Sequence, residues 1–386
     1  MSENTQKANE FIRSLQEQRR AYQDYARDRV IPMFQDNDQQ RERKPPAHFV
    51  DSSYLFIRSY DGDAGARPFS GKVFWLSPDI AISPITNLAA YTETLTAGET
   101  YALTCAVRNR GDLAVPSAKV EFWLTDPSIG FDTRYASHLT LGAVPATWVD
   151  AYGSNSVTFA WTVPPAESGH KCLFARVFSF SPLDLPVDDY HLDPTIDRHI
   201  AQQNLNIVAQ GQPFMFNAIH PPNAEWAIEF VPVAPDALLA LRHPVLADFA
   251  PSRDVPREGW TERTGIELSD SDARGVDMAR ENDRVFLFAN DPEAADTGTL
   301  RELRLMVRDA MAEIAAGKAR SADHRDLFAK FREVNGPARR STFKMQAPEL
   351  GLAPGQAAAV HIRAVDEGGL GAEDVLGGLT MLVVGR

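Results

Sequence analysis

The densest set of chemistry-bearing side chains lies between Asp184 and Asp197. Asp184, Asp188, Asp189, Asp193 and Asp197 share this short segment with Tyr190 and His191. Crowded carboxylates repel one another unless a cation or a basic partner neutralises them. Oxygen-rich loops also suit Ca²⁺. Asp184, Asp188, Asp189 and Asp193 are therefore candidate calcium ligands. Two other readings of the same segment stand beside that one: a solvated acidic loop whose aspartates cap turns, and a contact for a protein or a glycan. A second acidic stretch, Asp270 to Glu281, imitates a calcium loop, with acids at its first and third positions, Gly275 at the sixth and Glu281 at the twelfth. Arg274 would put a cation among the ligands there, and Asp277 stands where an apolar anchor belongs. It reads as a polar loop or the start of a short helix. Asp61-Gly-Asp63 reads as a turn.

Nucleophilic chemistry is sparsely represented. The chain has two cysteines, Cys105 and Cys172, each inside a strand-like run. His170 lies two residues from Cys172, but side chains at that spacing on a strand diverge, so the thiols read as core residues or as a bridged pair. There is no His-Glu-x-x-His, no Gly-x-Ser-x-Gly, no phosphate loop and no Cys-x-x-Cys. His199 and His220 read as structural. No catalytic residue is assigned. A hydrolase site within 211–386 would rest on scattered Asp and His alone.

The elements that would position these groups are mostly strands. Within 48–210, strand-like runs occur at 53–58, 72–76, 101–108, 118–125, 137–143, 155–163, 170–179 and 203–209; several alternate apolar and polar residues, and turn-formers separate most of them. Val157, Phe159 and Trp161 share one face of such a run. Residues 211–386 continue with strand-like runs at 213–219, 225–232, 284–289, 341–347, 357–364 and 378–384. Two helical patterns, about 299–317 and 321–333, read as an insertion spanning about 299–335. The fold class is mainly β: two immunoglobulin-like sandwiches, 48–210 and 211–386, with a helical insertion in the second. Cys105 and Cys172 are 67 positions apart, the separation of the second and sixth strands of such a sandwich. They are expected to face each other across the first core, either as reduced thiols or, on export, as a disulfide. Trp75, Trp123, Trp161 and Trp226 are expected in cores, and Trp148 and Trp260 in loops.

Residues 1–47 read as an amphipathic helix over 5–34 followed by a charged linker. Phe11, Leu15, Tyr22 and Tyr25 form a short apolar seam on it, the candidate contact for the body of the protein or for a partner. The net charge of −13 opposes phosphate backbones, so nucleic acid is not an expected partner. No run approaches the length of a membrane span. Without an apolar N-terminal run the default location is the cytoplasm, with signal-less export as the alternative.

Five segments in order, Phe74-Trp-Leu-Ser-Pro-Asp-Ile, Val107-Arg-Asn-Arg-Gly-Asp, Ala160-Trp-Thr-Val-Pro-Pro, Gly169-His-Lys-Cys-Leu-Phe-Ala-Arg-Val and Asn204-Leu-Asn-Ile-Val, resemble CARDB-type immunoglobulin-like domains of bacterial proteins over about 75–210. The resemblance implies an adhesion, spacing or scaffold module and brings no catalytic residue with it. The expected function is a non-enzymatic structural or protein-interaction subunit of a bacterial assembly, self-assembling or bound to another protein. The alternatives are a cell-surface or carbohydrate-binding module that uses a cation and, more weakly, the hydrolase in 211–386.

Overall fold

Alternation is the organising feature of the first half. In the run from Thr100 to Asn109, Tyr101, Leu103, Cys105 and Val107 are buried on one side. Successive strand side chains point to opposite faces, so this pattern covers a single core. The computed structural model describes residues 52–385, apart from 89, 93, 180, 182–183, 223, 242, 275, 290–296 and 367–374. The helix expected over 5–34, with Phe11, Leu15, Tyr22 and Tyr25, and the linker after it lie outside the described residues.

In chain order the first strands are β1 (Leu55–Phe56), β2 (Ile80–Pro84), β3 (Thr94–Leu95), β4 (Thr100–Asn109), β5 (Val115–Thr125), β6 (Ser128–Ile129), β7 (Ser137–His138), β8 (Ala146–Val149), β9 (Ser154–Thr162), β10 (Gly169–His170), β11 (Cys172–Phe178) and β12 (Ile200–Gln203). One sheet carries β9 along one edge of β4, and β1 and β2 along the other. The facing sheet has β12-β11-β5, with β7 and β8 on the far edge of β5. Leu103, Cys105 and Val107 from the first sheet meet Val120, Phe122, Leu124, Leu173, Ala175 and Val177 from the second. This is the immunoglobulin-like sandwich expected from the sequence.

The second half contributes β13 (Leu205–Ala209), β14 (Pro213–His220), β15 (Ala224–Val233), β16 (Ala250–Pro251), β17 (Glu267–Ser271), β18 (Asp277–Glu281), β19 (Arg284–Ala289), β20 (Arg339–Gln346), β21 (Gln356–Asp366) and β22 (Val375–Val384). A large sheet runs β13-β22-β21-β15-β19-β18, with β16 beside β21, and packs on a smaller sheet, β17-β20-β14-β6. Phe214, Phe216, Phe343 and Met345 fill the space against Ile228, Phe230, Val360, Ile362 and Met381. The other face of the large sheet is covered too: α1 (Pro235–Ala240) and the turn Pro244–Asp248 bury Leu238, Val245 and Leu246 against Ala357, Ala359 and Leu382. Burial on both faces explains why β22 is a continuous apolar run rather than an alternating one.

The halves are joined through backbone. The run at 203–209, read from sequence as the end of the first sandwich, supplies β13, which pairs in parallel with β22 of the second. In return β6, from the first half, pairs with β14. Trp75 lies on the second sandwich, and its Nε1 donates to Thr380 Oγ1 at 2.9 Å. Gly378 meets that indole so closely that an added Cβ would stand 2.6 Å from Cε3. Asn204 Nδ2 donates to both Ser128 O (2.7 Å) and Gly378 O (3.0 Å).

The helical insertion is found as α3 (Thr297–Ala315) and α4 (Arg325–Asn335) between β19 and β20. Its apolar face rests on the first half of the molecule. Leu303, Val307, Met311, Ile314, Phe328 and Phe331 pack with Tyr54, Phe56, Val187 and Ile196, all from the first half. Trp260, expected in a loop, starts the short helix α2 (Trp260–Thr264) and is fully buried.

Candidate interaction site

The acidic segment turns inward on basic partners. Arg198 Nη2 donates to Asp184 Oδ1, and the guanidinium lies 4.0 Å above the Tyr54 ring. His199 reaches Asp197 through Nδ1 (2.7 Å) and Asp184 through Nε2 (2.9 Å). Both ring nitrogens face carboxylates, the arrangement of a doubly protonated imidazole. Asp184 also accepts from Leu55 N at 2.9 Å, and Asp197 from Val187 N at 2.7 Å. The four groups are buried and their charges cancel. Burial alone would raise the Asp184 carboxyl, but Arg198 and His199 outweigh it and hold it at about 2. Burial likewise opposes charge on His199, yet Asp197 and Asp184 raise its pKa.

The remaining aspartates of the segment are occupied separately. Asp188 Oδ1 accepts from Tyr190 N (2.8 Å) and His191 N (3.2 Å), an Asx-type turn. Asp193 Oδ1 accepts from Thr195 N (2.8 Å), and Oδ2 accepts from Arg304 Nη2 of α3 (2.8 Å). Asp189 is exposed and pairs with Arg176 at 3.4 Å. Of the candidate calcium ligands, Asp184, Asp189 and Asp193 each meet an arginine, and Asp188 accepts from two backbone amides. Among the described residues no three His, Cys, Asp or Glu side chains converge as a metal site. The stretch from Asp270 to Glu281, expected as a polar loop or the start of a short helix, instead ends one strand, β17, and forms another, β18, in a different sheet.

The cysteines are both free and both buried, but they do not share a core. Cys105 lies between the two sheets, whereas Cys172 packs with Trp123, Phe131, Phe174 and Ile200 on the opposite face of its sheet. Leu173, Ala175 and Val177 face inward, which turns Cys172 outward by strand parity. The expected facing pair is thereby corrected. Burial pushes both thiols well above their ordinary pKa, which suppresses the nucleophilic thiolate.

Scattered Asp and His do meet in one place. A cavity of about 140 Å³ opens where the acidic segment, α3 and the second sandwich come together, lined in part by His191, Asp193, His220, Trp226, Arg301 and Arg304. No serine, threonine, cysteine or lysine is among its lining residues. His220 Nδ1 faces Pro221 O at 2.7 Å, and its Nε2 meets Ser341 Oγ at 3.0 Å. Ser341 is wholly enclosed in the sheet. His220 lines the cavity, whereas Ser341 is not among its lining residues.

Unused interaction capacity lies instead on β9. Its nine residues, Ser-Asn-Ser-Val-Thr-Phe-Ala-Trp-Thr, pair with β4 in unbroken antiparallel register from Arg108↔Ser154 to Thr100↔Thr162. Just beyond its ends, Asn109 N donates to Gly153 O and Val163 N donates to Glu99 O, each at 2.9 Å. Odd-numbered residues thus bond to β4, and even-numbered ones aim N–H and C=O away from it. Thr158, Ala160 and Thr162 are exposed, and their backbone groups have no backbone partner among the described residues. Phe159 and Trp161 are half-buried against the core. Natural sheets guard such edges with charge, bulges or brevity. Here β18 carries Asp277, Arg280 and Glu281, β17 carries Glu267, Asp270 and a register shift, and β6 is two residues long. β9 has none of these defences. The sequence signal was visible: a nine-residue strand without charge or proline.

No family model matches the chain, and no curated protein matches it. Among solved structures, it is similar to the CARDB domain of the PF1109 protein from Pyrococcus furiosus, solved in complex with di-metal ions. That match has 14% identity, covers 34% of this chain and 94% of the other, and has a TM-score of 0.20. A mutant of the CFA/I adhesin CfaE from enterotoxigenic E. coli is similar at 8% identity, covering 89% of this chain and 96% of that one, with a TM-score of 0.20. The CupB6 tip adhesin from Pseudomonas aeruginosa is similar at 9% identity, covering 87% and 98%, with a TM-score of 0.16. At these scores the likenesses add nothing to the assignment of a site, and the fold rests on the strand pairing described above. The first of them is of the kind that the sequence resemblance suggested: part of this β-rich, immunoglobulin-like chain resembles a CARDB domain.

Proposed function

We propose that the chain is a non-enzymatic structural or protein-interaction subunit of a bacterial assembly, which engages its partner by accepting an added strand along β9. The observation that carries this reading is the row of backbone groups at Thr158, Ala160 and Thr162 that have no backbone partner among the described residues, on an uncharged, regular edge. In strand addition, main-chain hydrogen bonds supply affinity and side-chain contacts supply selectivity. Phe159 and Trp161 offer partly exposed aromatic surface for such contacts. The joined sandwiches support the reading as well, since they hold β9 on a body stiffened by shared strands.

A displayed library of short random peptides, selected on the full chain and counter-selected on Ala160→Pro, tests the reading. Proline at 160 removes an outward N–H and leaves the ladder to β4 intact, as an edge strand tolerates. Extended, uncharged peptides should enrich on the wild-type chain and bind the variant at least ~10-fold more weakly, equivalent to ~1.4 kcal/mol. Equal enrichment on both chains, or none on either, rejects it.

A further inference from the structure

We infer that the strand β9 accepts is β9 of a second copy of this chain, paired antiparallel about a two-fold axis centred on Ala160. The inference rests on the strand-addition reading above and names the partner for the same edge. An isologous contact requires a surface complementary to itself, and an antiparallel pair of identical strands meets that condition when its centre is chosen correctly.

Among two-fold centres placed on an outward-facing residue, the local chemistry favours Ala160. With Ala160 opposite Ala160, Thr158 faces Thr162 of the second copy and Thr162 faces Thr158. Each such pair is of the hydrogen-bonded kind, because all three residues aim N–H and C=O outward. Moving the centre to Thr158 would call on Ser156, whose N–H already donates to Asn155 Oδ1 at 2.8 Å. Moving it to Thr162 would call on Pro164, which has no N–H. The Ala160 centre also places Phe159 beside Trp161 of the second copy in the closer, non-hydrogen-bonded positions, where aromatic cross-strand pairs are favourable. Both rings are only half-buried in the single chain.

Charge opposes this choice at long range but not at the contact itself. The chain carries −13 overall, and two copies repel at long range. β9 contains no charged residue, so the contact itself brings no like charges together. Salt screens the long-range term, and association is expected to strengthen as ionic strength rises. A contact made by one strand edge alone is small beside standard interfaces of roughly 1,200–2,000 Å², so the dimer should be reversible and depend on concentration.

Cysteine scanning on the full chain tests the register. In a hydrogen-bonded antiparallel pair the Cα atoms lie about 5.5 Å apart, within disulfide reach. Both native thiols are buried and should stay silent. Under mild oxidation Ala160→Cys should convert most of the chain to a covalent dimer. Thr158→Cys should not, because its two copies would lie about 13 Å apart along the strands. Light scattering should show the mass of the wild-type chain doubling with concentration, and Ala160→Pro should abolish that change. Amide exchange at 158, 160 and 162 should slow only as the dimer forms. A chain that stays monomeric, Thr158→Cys linking as well as Ala160→Cys, or protection that does not vary with concentration would each overturn the inference. Peptides that still enrich on β9 while the chain stays monomeric would leave the strand-addition reading standing and remove only the second copy as its partner.

Discussion

The segment from Asp184 to His199 and the edge strand β9 are opposites in charge and in use. The first holds the richest collection of ionisable groups and spends them internally: Asp184, Asp197, Arg198 and His199 neutralise one another out of contact with water. The second has no ionisable side chain, yet its outward backbone donors and acceptors have no backbone partner among the described residues. Chemical richness in a sequence therefore does not locate a site. What matters is how the fold pairs the groups: here it pairs Asp184 and Asp197 with Arg198 and His199, and among the described residues it leaves the outward backbone groups of β9 without a backbone partner.

The contrast can be broken most forcefully at Asp184. Replacing it with alanine leaves Arg198 buried without its main partner, and removing one half of a buried pair typically costs about 3–5 kcal/mol. Urea unfolding of Asp184→Ala should show a loss of that size. A loss below about 1 kcal/mol would mean that water reaches the cluster. The same cluster predicts an acid response. Asp184 has a folded pKa of about 2 against an ordinary 3.8, so its stabilisation is present above the ordinary value and disappears as pH falls through the folded one. Unfolding free energy should therefore drop by on the order of 2 kcal/mol between about pH 4 and pH 2. His199 has the opposite sign: its pKa is raised in the folded chain, so its contribution is complete at low pH and is lost as pH rises through that folded pKa. Asp184→Asn should flatten the acid limb of a stability–pH profile.

A smaller effect is expected where the segment meets α3. Arg304 holds Asp193 at 2.8 Å at a partly exposed position, and Arg304→Ala should cost about 1 kcal/mol, measured by thermal melting. The smallest effect on stability belongs to β9. Ala160→Lys should change unfolding free energy by less than about 0.5 kcal/mol, because the residue is exposed. It should nevertheless abolish association seen by light scattering, since an edge lysine is a guard against pairing. A large stability loss in Ala160→Lys with association unchanged would invert the comparison between the two regions.

Much of the scaffold was legible. Runs such as Thr100–Asn109, Ser154–Thr162 and Arg339–Gln346 alternate cleanly because one face is buried and the other is not. Both helices of the insertion were legible from their apolar spacing. β17 and β18 were not, since their sequences, Glu-Leu-Ser-Asp-Ser and Asp-Met-Ala-Arg-Glu, bury little and so carry no apolar pattern. Cys172 was assigned to the wrong face because a run buried on both sides, Cys-Leu-Phe-Ala, hides its own parity. The allegiance of Leu205–Ala209 was misread for a related reason: a strand pattern states that a partner exists, not which strand it is.

By itself the sequence determined the local facts: where strands and helices form, that β9 is free of charge, and that the acidic segment needs neutralising. These follow from side-chain size, polarity and period, which act over a few residues. Only the tertiary structure decided that Arg198, His199 and Arg304 provide that neutralisation, that β6 and β13 cross between sandwiches, and that α3 and α4 settle on the half of the molecule from which they do not come. It alone decided that β9 is an edge. Each of these depends on which distant surfaces bury the most apolar area and pair the most polar groups together, a balance struck over the whole chain.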